Sequence, residues 1–168
     1  VENAGKFIKE AGAGAVKIEG GAFRAPLIRT LVRNGIPVLG HIGLTPQSLR
    51  QTGGYKVQGR NSAEARELVR DALAVAKAGA FAVVLECIPE VLGKKITKSV
   101  PIPTIGIGAG HYCDGQILVT HDILGLYSQL KPRFVKQYAN IGGVMKKAFR
   151  TYKREVESGT FPGREHTY

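Results

Sequence analysis

Apolar residues along the chain gather into five short runs, at residues 14–19, 37–41, 81–86, 103–108 and 116–121, and each run hands over to a polar or glycine-rich turn. Between the runs the apolar spacing changes. Leu27, Ile28, Leu31 and Val32 recur at intervals of one, three and four, as do Ala65, Leu68, Val69, Ala72, Leu73 and Ala76, which is the spacing of a helix with one buried stripe. Short buried strands alternating with amphipathic helices predict a parallel sheet, and such sheets bind ligands beyond the carboxyl ends of their strands. Glu19, His41, Glu86, the loop at 106–110 and Asp122 are therefore expected to line one face, with the fifth strand ending at His121 and Asp122.

The punctuation supports these elements. Residues 1–12 read as the end of a helix, with Ala4, Phe7, Ile8 and Ala11 at helical spacing, so the chain is expected to open part-way through a fold. Asn34 and Gly35 stop the helix at 25–33, and Pro37 starts the next strand. Asn61 and Glu64 have the spacing of a capping box launching a helix at 63–78, which Gly79 closes. Further helices are expected at 89–98 and 141–158. Residues 43–60 show little periodicity and are rich in Gly, Gln and Thr; a loop of that length in a domain this size is expected to be functional, a lid over the site.

Composition narrows the class. With 168 residues, 43% of them hydrophobic and 22% charged, the chain predicts one domain, 1–168, with a real core. No apolar run approaches the roughly 18 residues a membrane span needs, and no signal-peptide pattern opens the chain, so a soluble protein is expected. Cys87 and Cys113 form no CxxC pair and read as reduced thiols. The net charge is +11, from 24 basic and 13 acidic residues, with clusters at 94–98, 131–136 and 146–154. Such a field attracts polyanions. In the last cluster, however, the cations alternate with Val144, Ala148, Phe149, Tyr152 and Val156, which predicts a solvated face opposite a core stripe; with no nucleic-acid motif in the chain, nucleic acid is not an expected partner.

Alternating β and α elements fit either an open doubly wound sheet or a barrel of eight β/α units. The open sheet calls for a phosphate-binding glycine motif at its first turn, whereas the glycine-rich run here, at 106–110, follows the fourth strand. The barrel is favoured. Measured against the eight strands and about 250 residues typical of that fold, the chain carries about five strands and is expected to begin at the equivalent of the fourth. Where a carboxylate, a histidine and a second carboxylate end neighbouring strands, acid–base chemistry is a natural reading, with a divalent cation as one option. Lys17 and Glu19, two apart on one strand, point to the same side. Strand-end polar residues also serve as helix caps and ion pairs, and that reading stays open residue by residue.

Six motifs taken together are more specific: KIEGG at 17–21, HIGLTPQS at 41–48, GGYKVQGR at 53–60, VLEC at 84–87, IGIGAG at 105–110 and DGQILV at 114–119. In that order, and with ESGTFPGREH at 157–166, they resemble the C-terminal two-thirds of the ketopantoate hydroxymethyltransferases. The resemblance implies a (β/α)8 TIM barrel of the phosphoenolpyruvate/pyruvate type, here incomplete. It also implies Mg²⁺ dependence, a homodecamer and a cytoplasmic enzyme, or a mitochondrial one in a eukaryote whose upstream segment carries a transit peptide. The implied reaction moves a hydroxymethyl group from 5,10-methylenetetrahydrofolate to 3-methyl-2-oxobutanoate, giving 2-dehydropantoate for pantothenate and coenzyme A biosynthesis.

Carried over by position, the resemblance makes Glu86 the general base, Lys17 the residue that holds the keto acid, His41 the histidine facing the substrate and Glu19 the glutamate beside the metal. The family's two metal-binding aspartates, and an adjoining serine, belong to a segment with no counterpart in this sequence, so this chain alone is expected to be inactive. His111, His121 and His166 read as ordinary polar positions, Cys87 as core packing, and glycines 106, 108 and 110 either as a close approach to ligand or as a tight turn. Two other readings stand beside the enzyme. One is a non-catalytic basic binding or assembly module built on the same barrel; the other, an isocitrate-lyase type of enzyme, lacks its signature nucleophile motif.

Overall fold

The first four apolar runs form strands β1 (Val16–Glu19), β2 (Val38–Gly43), β3 (Ala82–Glu86) and β4 (Thr104–Ile107), joined at one edge by a two-residue β5 (Gly115–Gln116). All pairings are parallel and the order is β1-β2-β3-β4-β5, each strand beside its successor in the chain. A doubly wound sheet reverses direction at a switch point; this one does not. With right-handed crossovers, unbroken sequential order sends every connecting helix to the same face, which is the winding of a β/α barrel wall.

In this computed structural model the described residues are 1–45, 56–126 and 132–168, and they divide into two compact units, Val1–Ile117 and Leu118–Tyr168. In the first unit, helices α1 (Glu2–Lys9), α2 (Ala25–Arg33), α3 (Ser62–Lys77) and α4 (Glu90–Ser99) accompany the strands. Alternation along β2 and β3 sends Val38, Ile42, Val83 and Leu85 into one core with Ile28, Leu31, Val75 and Ile96 of the helices. Gly40 is what lets α3 approach: a Cβ there would lie 2.4 Å from Val75 Cγ1. The alternate positions, Lys17, Glu19, His41, Val84 and Glu86, form the other face.

α3 begins as its sequence predicts, with Asn61 Oδ1 accepting from the Ala63 and Glu64 amides at 3.1 and 2.9 Å. The reciprocal half of the capping box differs. Glu64 Oε2 accepts from the amides of Gly59 and Arg60 instead, both at 3.1 Å, because the chain turns before Asn61 and offers those two donors first. Glu64 thereby ties the end of the long β2–α3 connection to the helix. The expected lid falls largely on residues 46–55, which lie outside the described residues. On α4 the basic run behaves as a solvated face, since Leu92, Gly93 and Ile96 are buried and Lys95 and Lys98 exposed.

Two expectations are corrected. The fifth run does not continue as a strand to His121: pairing stops at Gln116, and Thr120–Ile123 is a short helix, α5, started by Asp122 and Ile123 amides on the Val119 carbonyl. Ile117 and Val119 are about half exposed, at 47% and 52%, so the apolar side chains that suggested a strand gain little burial from one. His121 and Asp122 accordingly sit on α5 in the second unit rather than at a strand end. The second correction concerns α6 (Ile141–Glu157), capped by Asn140 Oδ1 on the Gly143 amide. Its stripe of Val144, Phe149, Tyr152 and Val156 is exposed and the helix buries no residue. Within its unit, Tyr152 meets Phe161 edge-on with ring centroids 5.5 Å apart, too small a contact to cover a helix face.

Candidate active site

Parallel register brings three of the sequence-predicted residues together. Glu19 closes β1 opposite His41 of β2, and Glu86 closes β3 opposite Gly43, two positions beyond His41. The imidazole lies between the carboxylates: His41 Nε2 is 3.0 Å from Glu86 Oε2, and Nδ1 is 3.6 Å from Glu19 Oε1. His41 is fully buried, while the Glu19 and Glu86 side chains are 13% and 16% exposed, so both carboxylates reach the surface of the mouth. Among the described residues neither ring nitrogen has an aligned hydrogen-bond partner. The 3.0 Å approach to Glu86 is thus a close polar contact off the donor direction. Buried polar atoms left in that condition are uncommon in native proteins.

The backbone around these side chains is specialised. Gly43 has φ +94°, and a Cβ there would come within 2.2 Å of the Glu86 carbonyl oxygen, which accepts from the Leu44 amide at 2.9 Å. A side chain at 43 would push β2 off the end of β3. Cys87, directly after Glu86, is the one non-glycine residue with positive φ, +52°, among the described residues. Its amide donates to the Ile107 carbonyl and its carbonyl accepts from the Gln58 amide, both at 2.9 Å, which holds it in the left-handed conformation. Burial first, and the Glu86 charge second, push the Cys87 thiol up, with Arg60 opposing them. The raised pKa keeps the thiol protonated at neutral pH, which weakens it as a nucleophile.

Lys17 shares the face, two residues before Glu19 and opposite Leu39, but its side chain is exposed and forms no ion pair among the described residues. The glycine loop after β4 serves packing. A Cβ at Gly110 would lie 2.4 Å from Glu90 Cγ, a Cβ at Gly93 would lie 2.4 Å from the Ala109 carbonyl oxygen, and Gln116 Nε2 donates to the Gly110 carbonyl. Of the remaining histidines, His111 pairs with Glu90 on the surface and His166 Nδ1 accepts from the Gly163 amide, as ordinary polar positions do.

Residues holding the site from outside escaped the sequence. Asp71 on α3 accepts from the Ala22 amide at 2.8 Å, just past Glu19. Nothing in a helical pattern separates it from the other charged residues of α3. As for a metal, no group of three or more His, Cys, Asp or Glu suited to an ion occurs among the described residues. Mg²⁺ asks for six oxygens in octahedral array, and Glu19 and Glu86 stand on opposite edges of an imidazole. These residues by themselves do not fit that ion.

A singly wound parallel β/α wall, with a carboxylate–imidazole–carboxylate row towards the carboxyl end of its strands, places the chain in the β/α-barrel class. Within that class the chain belongs to the ketopantoate hydroxymethyltransferase family, whose model matches residues 1–164. It is similar to the 3-methyl-2-oxobutanoate hydroxymethyltransferase of Clostridium acetobutylicum, 57% identical over 168 residues, covering 100% of this chain and 61% of the relative. The Carboxydothermus hydrogenoformans protein of the same name is 57% identical over 166 residues, 99% of this chain and 60% of the relative. That of Moorella thermoacetica is 54% identical over 168 residues, 100% and 62%. The chain thus spans about three-fifths of the length of the curated relatives it matches. No helix among the described residues is long and apolar enough to cross a membrane.

Proposed function

We propose that the complete protein to which this chain belongs is a 3-methyl-2-oxobutanoate hydroxymethyltransferase, with Glu86 as its general base. The observation that carries the reading is the family match across residues 1–164 together with the row Glu19, His41, Glu86 at the strand ends. The methine proton of the keto acid is too weakly acidic for a carboxylate in water. Its removal needs a desolvated base and a stabilised enolate oxygen. Glu86, 16% exposed and backed by β3 and β4, is a partly desolvated base reaching the mouth. Glu86 takes the C3 proton, the C–H electron pair becomes the enolate C=C bond, and negative charge moves to the keto oxygen. Lys17, on the same face, supplies a cation for the anionic substrate, and His41 lies in polar contact with the base, its Nε2 3.0 Å from Glu86 Oε2. The enolate carbon then bonds to the one-carbon unit of 5,10-methylenetetrahydrofolate; both C–N bonds of that unit break, water supplies the hydroxyl oxygen, and tetrahydrofolate leaves with its two nitrogens protonated.

Mg²⁺ is part of this proposal for the complete protein, with Glu19 beside it. When bound, it supplies Lewis-acid polarisation of the keto oxygen. The described residues do not form that site alone, and no step above runs through it. The homodecamer and a cytoplasmic location are likewise proposed for the complete protein. The relatives reported are bacterial, so nothing supports the mitochondrial alternative. The test is isotope exchange at C3 of labelled 3-methyl-2-oxobutanoate in the complete protein. Glu86→Gln should slow exchange about a thousandfold, within the span general-base catalysis covers. Exchange retained in that variant removes Glu86 as the base, and no exchange in the parent protein removes the function.

A further inference from the structure

The turn that follows Glu19 has no cap of its own. Gly21 occupies the N-cap of the 3-10 turn Ala22–Arg24 that leads into α2, and glycine has no side chain to accept from the first free amides. The acceptor comes from 49 positions away: Asp71 Oδ1 takes the Ala22 amide at 2.8 Å. The carboxylate sits so closely over the turn that a Cβ on Gly21 would lie 2.0 Å from Asp71 Cγ. Gly20, with φ +119°, turns the chain and donates its amide to the His41 carbonyl at 2.9 Å. The three residues after Glu19 are therefore clamped on two sides, to β2 through Gly20 and to α3 through Asp71.

We propose that Asp71 is a positioning residue for the reaction, a cap borrowed from α3 that fixes the exit of β1 and so holds the Glu19 carboxylate against His41. The proposal rests on the function given above. Without the clamp, the Ala22 amide would lose its acceptor and the Gly20–Gly21 pair, the most permissive backbone in the turn, would swing. Glu19 would move with it. Displacements on the order of 1 Å at a residue remote from the reacting bond can cost about a hundredfold in rate. The functional side chain and its support thus belong to different β/α units, which makes α3 part of the site although it contributes no group to the mouth.

The experiment is a variant series in the complete protein, read by C3 isotope exchange of 3-methyl-2-oxobutanoate and by amide hydrogen exchange over residues 16–24. Asp71→Ala should lower kcat for exchange at least about tenfold with KM changed less than about threefold, and Asp71→Asn, which keeps the accepting oxygen, should restore most of the loss. On a Glu19→Gln background Asp71→Ala should add nothing, since the effect travels through Glu19. Amide exchange of Ala22 should quicken at least about tenfold in Asp71→Ala, where the amide has lost its part-buried acceptor. Should that variant fail to fold, Gly21→Ala displaces the carboxylate from the other side and should give the same pattern. An equal loss with and without Glu19, an Asn variant as impaired as the Ala variant, or an unchanged kcat would overturn the proposal. Because amide exchange does not need turnover, the clamp is still read if the parent protein exchanges no substrate proton, and that result sinks the function instead.

Discussion

The two ends of the sheet use polar residues in opposite ways. At the amino end of β4, Thr104 is fully buried and fully occupied: its amide and hydroxyl donate to Asp114 Oδ2 at 2.8 and 3.0 Å, and its Oγ1 lies 2.8 Å from Thr97 Oγ1. At the carboxyl ends of β1, β2 and β3, His41 is equally buried, yet among the described residues its ring nitrogens meet two carboxylates without completing a bond to either. One end closes its hydrogen bonds internally and latches β4 to β5. At the other, a buried imidazole stands in polar contact with two carboxylates that are themselves partly exposed. Equal burial thus accompanies two different polar arrangements in this fold.

The sharpest way to break that contrast is to remove the imidazole. His41→Leu removes the polar contact that the imidazole makes with Glu19 and Glu86. It should slow C3 isotope exchange about a hundredfold through loss of the oriented base. If instead only stability falls, by about 1–3 kcal/mol as for an orphaned buried polar group, His41 belongs with Thr104 as a packing residue.

The opposite end is tested by Asp114. Hydrogen bonds from Thr104, backbone first and hydroxyl second, hold its carboxyl below the usual range. A group with a lowered folded pKa stabilises the fold above its unfolded pKa and loses that contribution as pH falls through the folded value. Asp114→Asn should therefore unfold at lower urea concentration than the parent at pH 7, by about 1 kcal/mol or less given the exposure of the side chain, with the difference shrinking as pH falls below the carboxylate range. Isotope exchange should be unchanged. A loss of exchange larger than the loss of stability would erase the division between the two ends.

The smallest effect sharpens the mouth. In a Cys113→Ala background, the Cys87 thiol should alkylate slowly at pH 8.5, because burial and then the Glu86 charge raise its pKa. Glu86→Gln removes the second cause and should quicken alkylation about threefold by raising the thiolate fraction. A rate unchanged by that substitution would mean that the Glu86 charge does not reach the strand's last turn.

Much of this arrangement was legible in the chain. β1 to β4 are runs whose apolar alternation survives because both flanks are punctuated, and Glu19, His41 and Glu86 could be assigned to one mouth because each ends such a run. β5 was misread because Ile117, Leu118 and Val119 look like a buried strand, and only the packing reveals that Ile117 and Val119 stay half exposed. The α6 stripe failed for the same reason, since amphipathic spacing says which face is apolar and not what covers it. Asp71 was illegible in a deeper sense. Its meaning lies in a glycine 50 positions earlier, a relation that no local periodicity carries.

The unbroken strand order also governs how the chain closes on itself. The stretch from His41 to its neighbour Val84 is about twice as long as that from Glu19 to His41 or from Glu86 to Ile107. Closure entropy grows only with the logarithm of length, so one doubling adds just about 0.6 kcal/mol. The wall therefore tolerates a β2–β3 connection twice the length of its neighbours, and that connection can change in length without disturbing the register that aligns the three rim side chains.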